Sequence, residues 1–156
     1  MTWKDELYSE YHHLFIEIPY EKEIGWIECH DGFKEPIKRF LHSLDRIQKT
    51  LDRIQKANGK KNKKIQISQI KQKYGLVRAN VSYPKKIACE IKHYIGRLEG
   101  ECYMTCAYCG QAHTNGCERI EERRWVYCIC NDCKANLAAI LASRDKEYFA
   151  SLKDKL

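Results

Sequence analysis

Cys106-Ala107-Tyr108-Cys109-Gly110 and, further on, Cys130-Asn131-Asp132-Cys133 decide the reading of this chain. Together they give the pattern C-x2-C-x20-C-x2-C. Thiols two residues apart on a tight turn face one side, and two such pairs supply four sulfurs to one tetrahedral Zn2+. Gly110 permits the left-handed backbone that a knuckle needs. The second pair stands where an alanine- and leucine-rich helix should start, so amides and the helix dipole favour the thiolate form. The pattern predicts one structural zinc on Cys106, Cys109, Cys130 and Cys133. Catalytic zinc sites keep an open position and usually include His or a carboxylate, which argues against one here. A redox pair needs a thioredoxin-like βαβ setting that the flanking sequence does not offer. Cys130 rather than Cys128 completes the second pair, leaving Cys102, Cys117 and Cys128 as spare thiols.

The whole chain bounds the function classes. It has 156 residues and nine cysteines, an odd number that favours metal over disulfides in a reducing compartment. No apolar run approaches the ~20 residues of a membrane span. The N-terminus, Met1-Thr2-Trp3-Lys4-Asp5-Glu6-Leu7, lacks the basic and apolar regions of a signal peptide, so a cytoplasmic protein without membrane contact is expected. The formal charge of +7 admits nucleic acid or acidic proteins as partners.

Outward from the cysteines, the chain reads as α+β: a small antiparallel sheet with packed helices over residues 1–100, then a treble-clef module, related to zinc ribbons, over 101–156. Thr2 and Asp5 make a capping box for a helix over 2–15, with Trp3, Leu7, Tyr11 and Leu14 near one face. Pro19 ends that segment or the extended piece after it. Ile24 to Cys29 reads as a strand and Asp31-Gly32 as the turn leaving it. A long helix is predicted over 33–57, with Pro36 tolerated in its first turn. Ile37, Phe40, Leu44, Ile47, Leu51 and Ile54 alternate at three- and four-residue spacing, and Leu44 to Lys49 repeats as Leu51 to Lys56. That stripe should pack on a sheet or helix of the same chain; a dimer through residues 37–54 is the alternative. Asn58-Gly59 stops the helix. Ile65 to Gln72 and Leu76 to Tyr83 should pair about Lys73-Tyr74-Gly75. Pro84 opens a helix from Lys85 to Leu98, ended by Gly100. Within the module, a hairpin is expected around Thr114-Asn115-Gly116, with Arg123 to Ile129 returning, then a closing helix from Asn131 to Leu152.

Candidate contact residues are cationic: Lys60, Lys61, Lys63 and Lys64 in the loop after the long helix, then Lys71, Lys73, Arg78, Arg123 and Arg124. With Tyr74 the only aromatic between Lys60 and Arg78, that stretch suits phosphate contact better than base stacking. Tyr8, Tyr20 and Tyr83, with Arg78 and Arg124, are candidate interface anchors. No catalytic set assembles, so no enzyme is expected. A nuclease of the HNH type would need a His base and a metal-binding His or Asn beside the hairpin; His113 and Asn115 are the only candidates, and the expected Asp-His pair is absent.

Lys71-Gln72-Lys73-Tyr74-Gly75-Leu76-Val77-Arg78 resembles the K-x-K-[FY]-G-x-L-R hairpin of a group of small phage and prophage proteins. In that group a helix, a C-x-x-C-G knuckle, a tryptophan and a second Cys pair follow, matched here by Cys106, Cys109, Gly110, Trp125, Cys130 and Cys133. Glu28-Cys29-His30-Asp31-Gly32-Phe33 resembles the group's E-C-x-D-G-[WF] turn. The likeness spans about residues 24–135. Val77 replaces a leucine of the group, and Ala79-Asn80 replace aromatic residues. The resemblance implies a mobile-element origin, hence the host cytoplasm, and no particular reaction. Small size, a zinc-stapled fold and no catalytic set then suit an accessory factor that inhibits or redirects a host protein or protein–nucleic acid complex, as anti-CRISPR and other counter-defence proteins do. Direct DNA or RNA binding, as a regulator, is the alternative.

Overall fold

The computed structural model describes residues 2–16, 27–59, 61, 63–113, 117–122, 125–139, 141–143 and 146. Helix α1 (Trp3–Tyr11) opens on the expected capping box. The Asp5 amide donates to Thr2 Oγ1 at 3.3 Å and the Thr2 amide to Asp5 Oδ2 at 2.7 Å, satisfying two amides that the first turn cannot. Leu7, Tyr11 and, past the helix, Leu14 are buried.

The main sheet is built by β1 (Ile27–Glu28), β2 (Gln66–Lys73) and β3 (Leu76–Ser82), in that spatial order. β2 and β3 form the expected antiparallel hairpin. β1 instead runs parallel to β2, with Ile27 opposite Ile70, so the sheet is mixed and not wholly antiparallel. The cause is connectivity: a long helix joins β1 to β2, and a helical crossover brings the chain back in its original direction. Phe15 adds an isolated parallel bridge to Ile67. The alternation of β2 breaks after Ile67, where a bulge shifts the register between Ile67 and Gln69. The extra residue, exposed Ser68, lets both Ile67 and Ile70 face the core. Of the expected strand 24–29, residues 24–26 lie outside the described residues, as do Pro19 and Tyr20.

Helix α2 (Lys34–Asn58) follows a short 3-10 turn over Asp31–Phe33 and ends where Gly59 takes φ 65°, the left-handed stop expected of Asn58-Gly59. Ile37, Phe40, Leu44 and Leu51 are buried in the same core as the sheet, so most of the heptad stripe is internal. Ile47 is half-buried and Ile54, at the far end, is exposed. Asp45 is buried beside the stripe, held by His13 Nε2 at 2.8 Å and Lys49 Nζ at 2.6 Å. Gln48, also buried, accepts the Ile65 amide at 2.8 Å and so ties α2 to the entry of β2.

Helix α3 (Ala88–Tyr103) packs on α2 and β3 and runs through Gly100, contrary to expectation. A glycine costs a helix about 1 kcal/mol relative to alanine, and continuing past it buries Cys102. Thr105 Oγ1 donates to the Glu101 carbonyl at 2.7 Å and helps close the end. The module's hairpin is β4 (Glu118–Glu122) with β5 (Trp125–Ile129), turning between Glu122 and Trp125. The turn expected at Thr114-Asn115-Gly116 is therefore displaced; those three residues lie outside the described ones. Ile120 packs with buried Ile129 in a small second core, which requires residues after Asn115-Gly116 to form the outgoing strand. The closing helix starts at Asn131 as expected but is interrupted early. α4 (Asn131–Ala135) stops at Asn136, whose side chain donates to the Asp132 carbonyl at 2.9 Å. Helical residues resume at 137–139 and 141–143, and residues 147–156 lie outside the described ones. Among the described residues no helix is long and apolar enough to cross a membrane.

Candidate metal centre

Knuckle, hairpin and helix start converge on four sulfurs. Gly110 takes φ 73° and its amide donates to the Cys106 carbonyl at 3.0 Å, closing the knuckle. The Ala107 amide donates to the Cys128 carbonyl at 2.8 Å, which lashes the knuckle to β5. Cys130 leaves β5 as the residue capping α4, and Cys133 lies in that helix's first turn. The thiols of Cys106, Cys109, Cys130 and Cys133 all lie within 4.8 Å of one another. Cys106 and Cys130 are buried, Cys133 is half-buried and Cys109 is exposed.

This donor set fits a tetrahedral ion. Zn–S bonds of ~2.3 Å put adjacent sulfurs of a tetrahedron roughly 3.8 Å apart. Cys109 Sγ and Cys130 Sγ are 3.8 Å apart. The Cys130 amide also points at Cys106 Sγ, at 3.4 Å, as an amide does toward a metal-bound thiolate. Burial pushes the Cys106 thiol up, but the amides of Cys109, Cys130 and Tyr108 outweigh it and hold its pKa below the ordinary thiol value. Burial raises Cys109 and Cys133, the latter strongly, with neighbouring thiols adding to it. A bound dication reverses that balance by neutralising the crowded thiolates. The four cysteines can therefore hold a metal ion.

The spare thiols have other neighbours. Cys128 is buried, with its Sγ on the Tyr103 carbonyl at 3.5 Å, and it exchanges a hydrogen bond with Cys117. Burial raises Cys117 to about 12 and Cys29 to about 12, so neither is a ready thiolate. Cys102 is fully buried, and Cys89 is exposed on α3.

Support for the site comes from a segment far away in sequence. The Gly32 amide donates to the Ala107 carbonyl at 2.9 Å. A Cβ at Gly32 would lie 2.1 Å from the Cys106 carbonyl oxygen, so only glycine fits against the knuckle. The neighbours of Gly32 anchor it. Asp31 Oδ1 accepts from Trp3 Nε1 at 2.7 Å, and Phe33 is fully buried. His30 meets the Tyr108 ring edge-on at 5.4 Å and contacts Gln72 Oε1 through Nδ1 at 2.6 Å. The Asp31-Gly32 turn is thus a docking point for the knuckle, which sequence reasoning took only as a turn. A second clasp lies at Gly75, where an added Cβ would meet Val126 Cγ1 at 3.2 Å.

His113 lines the open cleft beside Cys109 and Cys133, with Gln111 and Asp132. Its Nε2 is buried without a hydrogen-bond partner among the described residues. Asn115 lies outside them.

Among the described residues the predicted cationic side chains lie at separate places on the main sheet. Lys61, Lys63 and Lys64 are exposed before β2, whereas Lys73 ends it. At 3.2–3.4 Å per residue, these ends are separated by roughly 30 Å. Lys71 and Arg78 face each other across β2 and β3, and Arg78 pairs with Glu99 at 2.5 Å. Lys60, Arg123 and Arg124 lie outside the described residues. One cation–aromatic contact, Tyr103 with Arg119, carried no sequence signal, because α3 and β4 bring the two together from different elements.

The chain matches no protein-family model, no curated protein and no solved structure.

Proposed function

We propose that Cys106, Cys109, Cys130 and Cys133 hold one structural Zn2+, and that the protein acts by occupying a macromolecular surface without turning over a substrate. The observation that carries the metal assignment is the sulfur geometry: four thiols within 4.8 Å, with an adjacent pair at the tetrahedral spacing. Zinc is the ion of choice for an all-thiolate tetrahedron that also needs no redox chemistry. Bound there, the ion would supply folding free energy by stapling the knuckle to the start of α4. Elemental analysis of carefully purified protein tests the metal: one zinc per chain is expected, lost in Cys109→Ser. No bound metal, or ligation through Cys117 or Cys128, would refute it.

The surface reading extends to a partner. Resemblance to small phage proteins supports an accessory factor that inhibits or redirects a host complex, in the manner of counter-defence proteins. Such a factor saturates at a fixed molar ratio and leaves its target chemically intact. Incubation with plasmid, RNA and a captured partner tests this. Metal-dependent cleavage continuing at substoichiometric protein, and abolished in His113→Ala, would restore the nuclease.

A second reading, direct contact with DNA or RNA, is favoured by exposed Lys61, Lys63 and Lys64 together with the charge of +7.

A further inference from the structure

Among the described residues the exposed large apolar side chains are Tyr8, Ile54, Tyr74 and Tyr103. Tyr103 lies against Arg119, and Tyr74 precedes Gly75, which packs beside the stem of that arginine. Gly75 presses on the stem of Arg119, with Cδ 3.7 Å from where a glycine Cβ would sit. The guanidinium of the same arginine lies over the Tyr103 ring, 5.1 Å from its centroid. Tyr74, next to Gly75, is 73% exposed, and Lys73 Nζ stands 5.4 Å from its ring centroid. One surface therefore runs from the β2–β3 tip across β4 to the end of α3, carrying two tyrosine rings, each with a cation.

Tyr74 is an odd residue for its place. Both central residues of this two-residue turn have positive φ, 52° at Tyr74 and 77° at Gly75. Such turns favour Asn, Asp or Gly at the first position, and a bulky side chain there is strained. The ring has little burial to offset the strain, since most of it faces water. Position and exposure together point to a ligand.

We infer that Tyr74, Tyr103, Lys73 and Arg119 form a binding site for single-stranded nucleic acid. The proposal rests on the second reading above and gives it a place on the fold, away from the lysine loop. An apolar protein partner would bury two cations without counter-charges, which is costly. A single strand supplies a phosphate to each cation and a flat base to each ring. A duplex hides its base faces inside the stack and so meets only the cations. Arg119 can serve either way, since a guanidinium plane also stacks on bases.

The test is fluorescence anisotropy of the full, zinc-loaded chain against labelled oligodeoxythymidine of about 20 nucleotides and a duplex of equal length, long enough for one site. Tyr74→Asn keeps a residue suited to the turn, and Tyr103→Leu keeps a helix former. Each should weaken single-strand binding by about 5- to 150-fold, the range of one lost stack. Neither should change the salt slope, whereas Lys73→Gln should flatten it by about 0.7. Tyr74→Phe and Tyr103→Phe should bind as the parent does. No single-strand binding at low salt overturns the proposal. So does unchanged affinity in both tyrosine variants, duplex binding as tight as single-strand binding, or loss of a protein partner on Tyr74→Asn with no effect on the oligonucleotide. Zinc content, measured in every variant, separates failure of this site from failure of the metal centre.

Discussion

Replacing Gly32 with alanine adds one methyl group at a contact made entirely of backbone. The new Cβ would lie 2.1 Å from the Cys106 carbonyl oxygen and 2.6 Å from both the carbonyl carbon and oxygen of Ala107. No side chain can rotate away, so the 3-10 turn and the knuckle must separate. Overpacking of this kind costs typically about 1–3 kcal/mol. Separation also breaks the hydrogen bond from the Gly32 amide to the Ala107 carbonyl, worth about 1 kcal/mol. The sum, about 2–4 kcal/mol, is a large share of the ~5–15 kcal/mol that stabilises a typical domain. Urea unfolding of the zinc-loaded protein measures it, and Gly96→Ala is the control. Gly96 lies in α3 with nothing within 4 Å of a built Cβ, so alanine there should stabilise by about 0.5–1 kcal/mol. A Gly32→Ala protein within about 0.5 kcal/mol of the parent would refute the reasoning, because it would mean the knuckle does not rest on this turn.

Chelation should lower the melting temperature of the parent, and added Zn2+ should restore it, while Cys109→Ser should respond to neither. Burial raises the Asp45 carboxyl, but Lys49 and His13 outweigh this and hold its pKa below the ordinary value. Its contribution is thus complete above the unfolded value of ~3.9 and lost as pH falls through the lower folded value. Urea midpoints taken from about pH 6 to about pH 2 should fall in that acid window, and Asp45→Asn should flatten the fall while costing about 1–3 kcal/mol at neutral pH. An unaltered pH profile in that variant would deny Asp45 the role. Tyr74→Asn should raise unfolding stability by about 0.5–1 kcal/mol in the absence of nucleic acid, by relieving the strain of a positive φ; a loss of stability in the same urea titration would show the ring to be structural.

What was legible in the sequence was local chemistry. The cysteine spacing places four sulfurs together because each pair is fixed by a single turn. The Thr2–Asp5 box and the Gly59 stop are equally local. The stripe from Ile37 to Leu51 was readable because burial on one helix face follows the helical period. Errors arose where distant packing overruled a local signal. Gly100 reads as a stop, yet α3 continues to Tyr103 with Cys102 buried in its last turn. Asn115-Gly116 reads as a hairpin turn, but Ile120 lies in β4 opposite Tyr127 of β5, which moves the turn toward Trp125. Among the described residues β1 comprises Ile27 and Glu28, and it finds its parallel partner through a crossover, a relation no alternation pattern encodes. The Arg119–Tyr103 and Gly32–Ala107 contacts join residues from separate elements, and neither could be seen before the fold was in hand.

The two glycine clasps change what metal occupancy means for the rest of the molecule. Gly32 sits at the entry to α2, and Gly75 at the tip joining β2 to β3, so the cysteine module is held from two directions by the main core. An ion that binds only the folded sulfurs therefore adds its linkage free energy to helices that never touch it. Each tenfold rise in free Zn2+ above the dissociation constant contributes about 1.4 kcal/mol to the folded state. The slowest-exchanging amides of α2, remote from any cysteine ligand, would then act as a gauge of zinc activity in the surrounding solution.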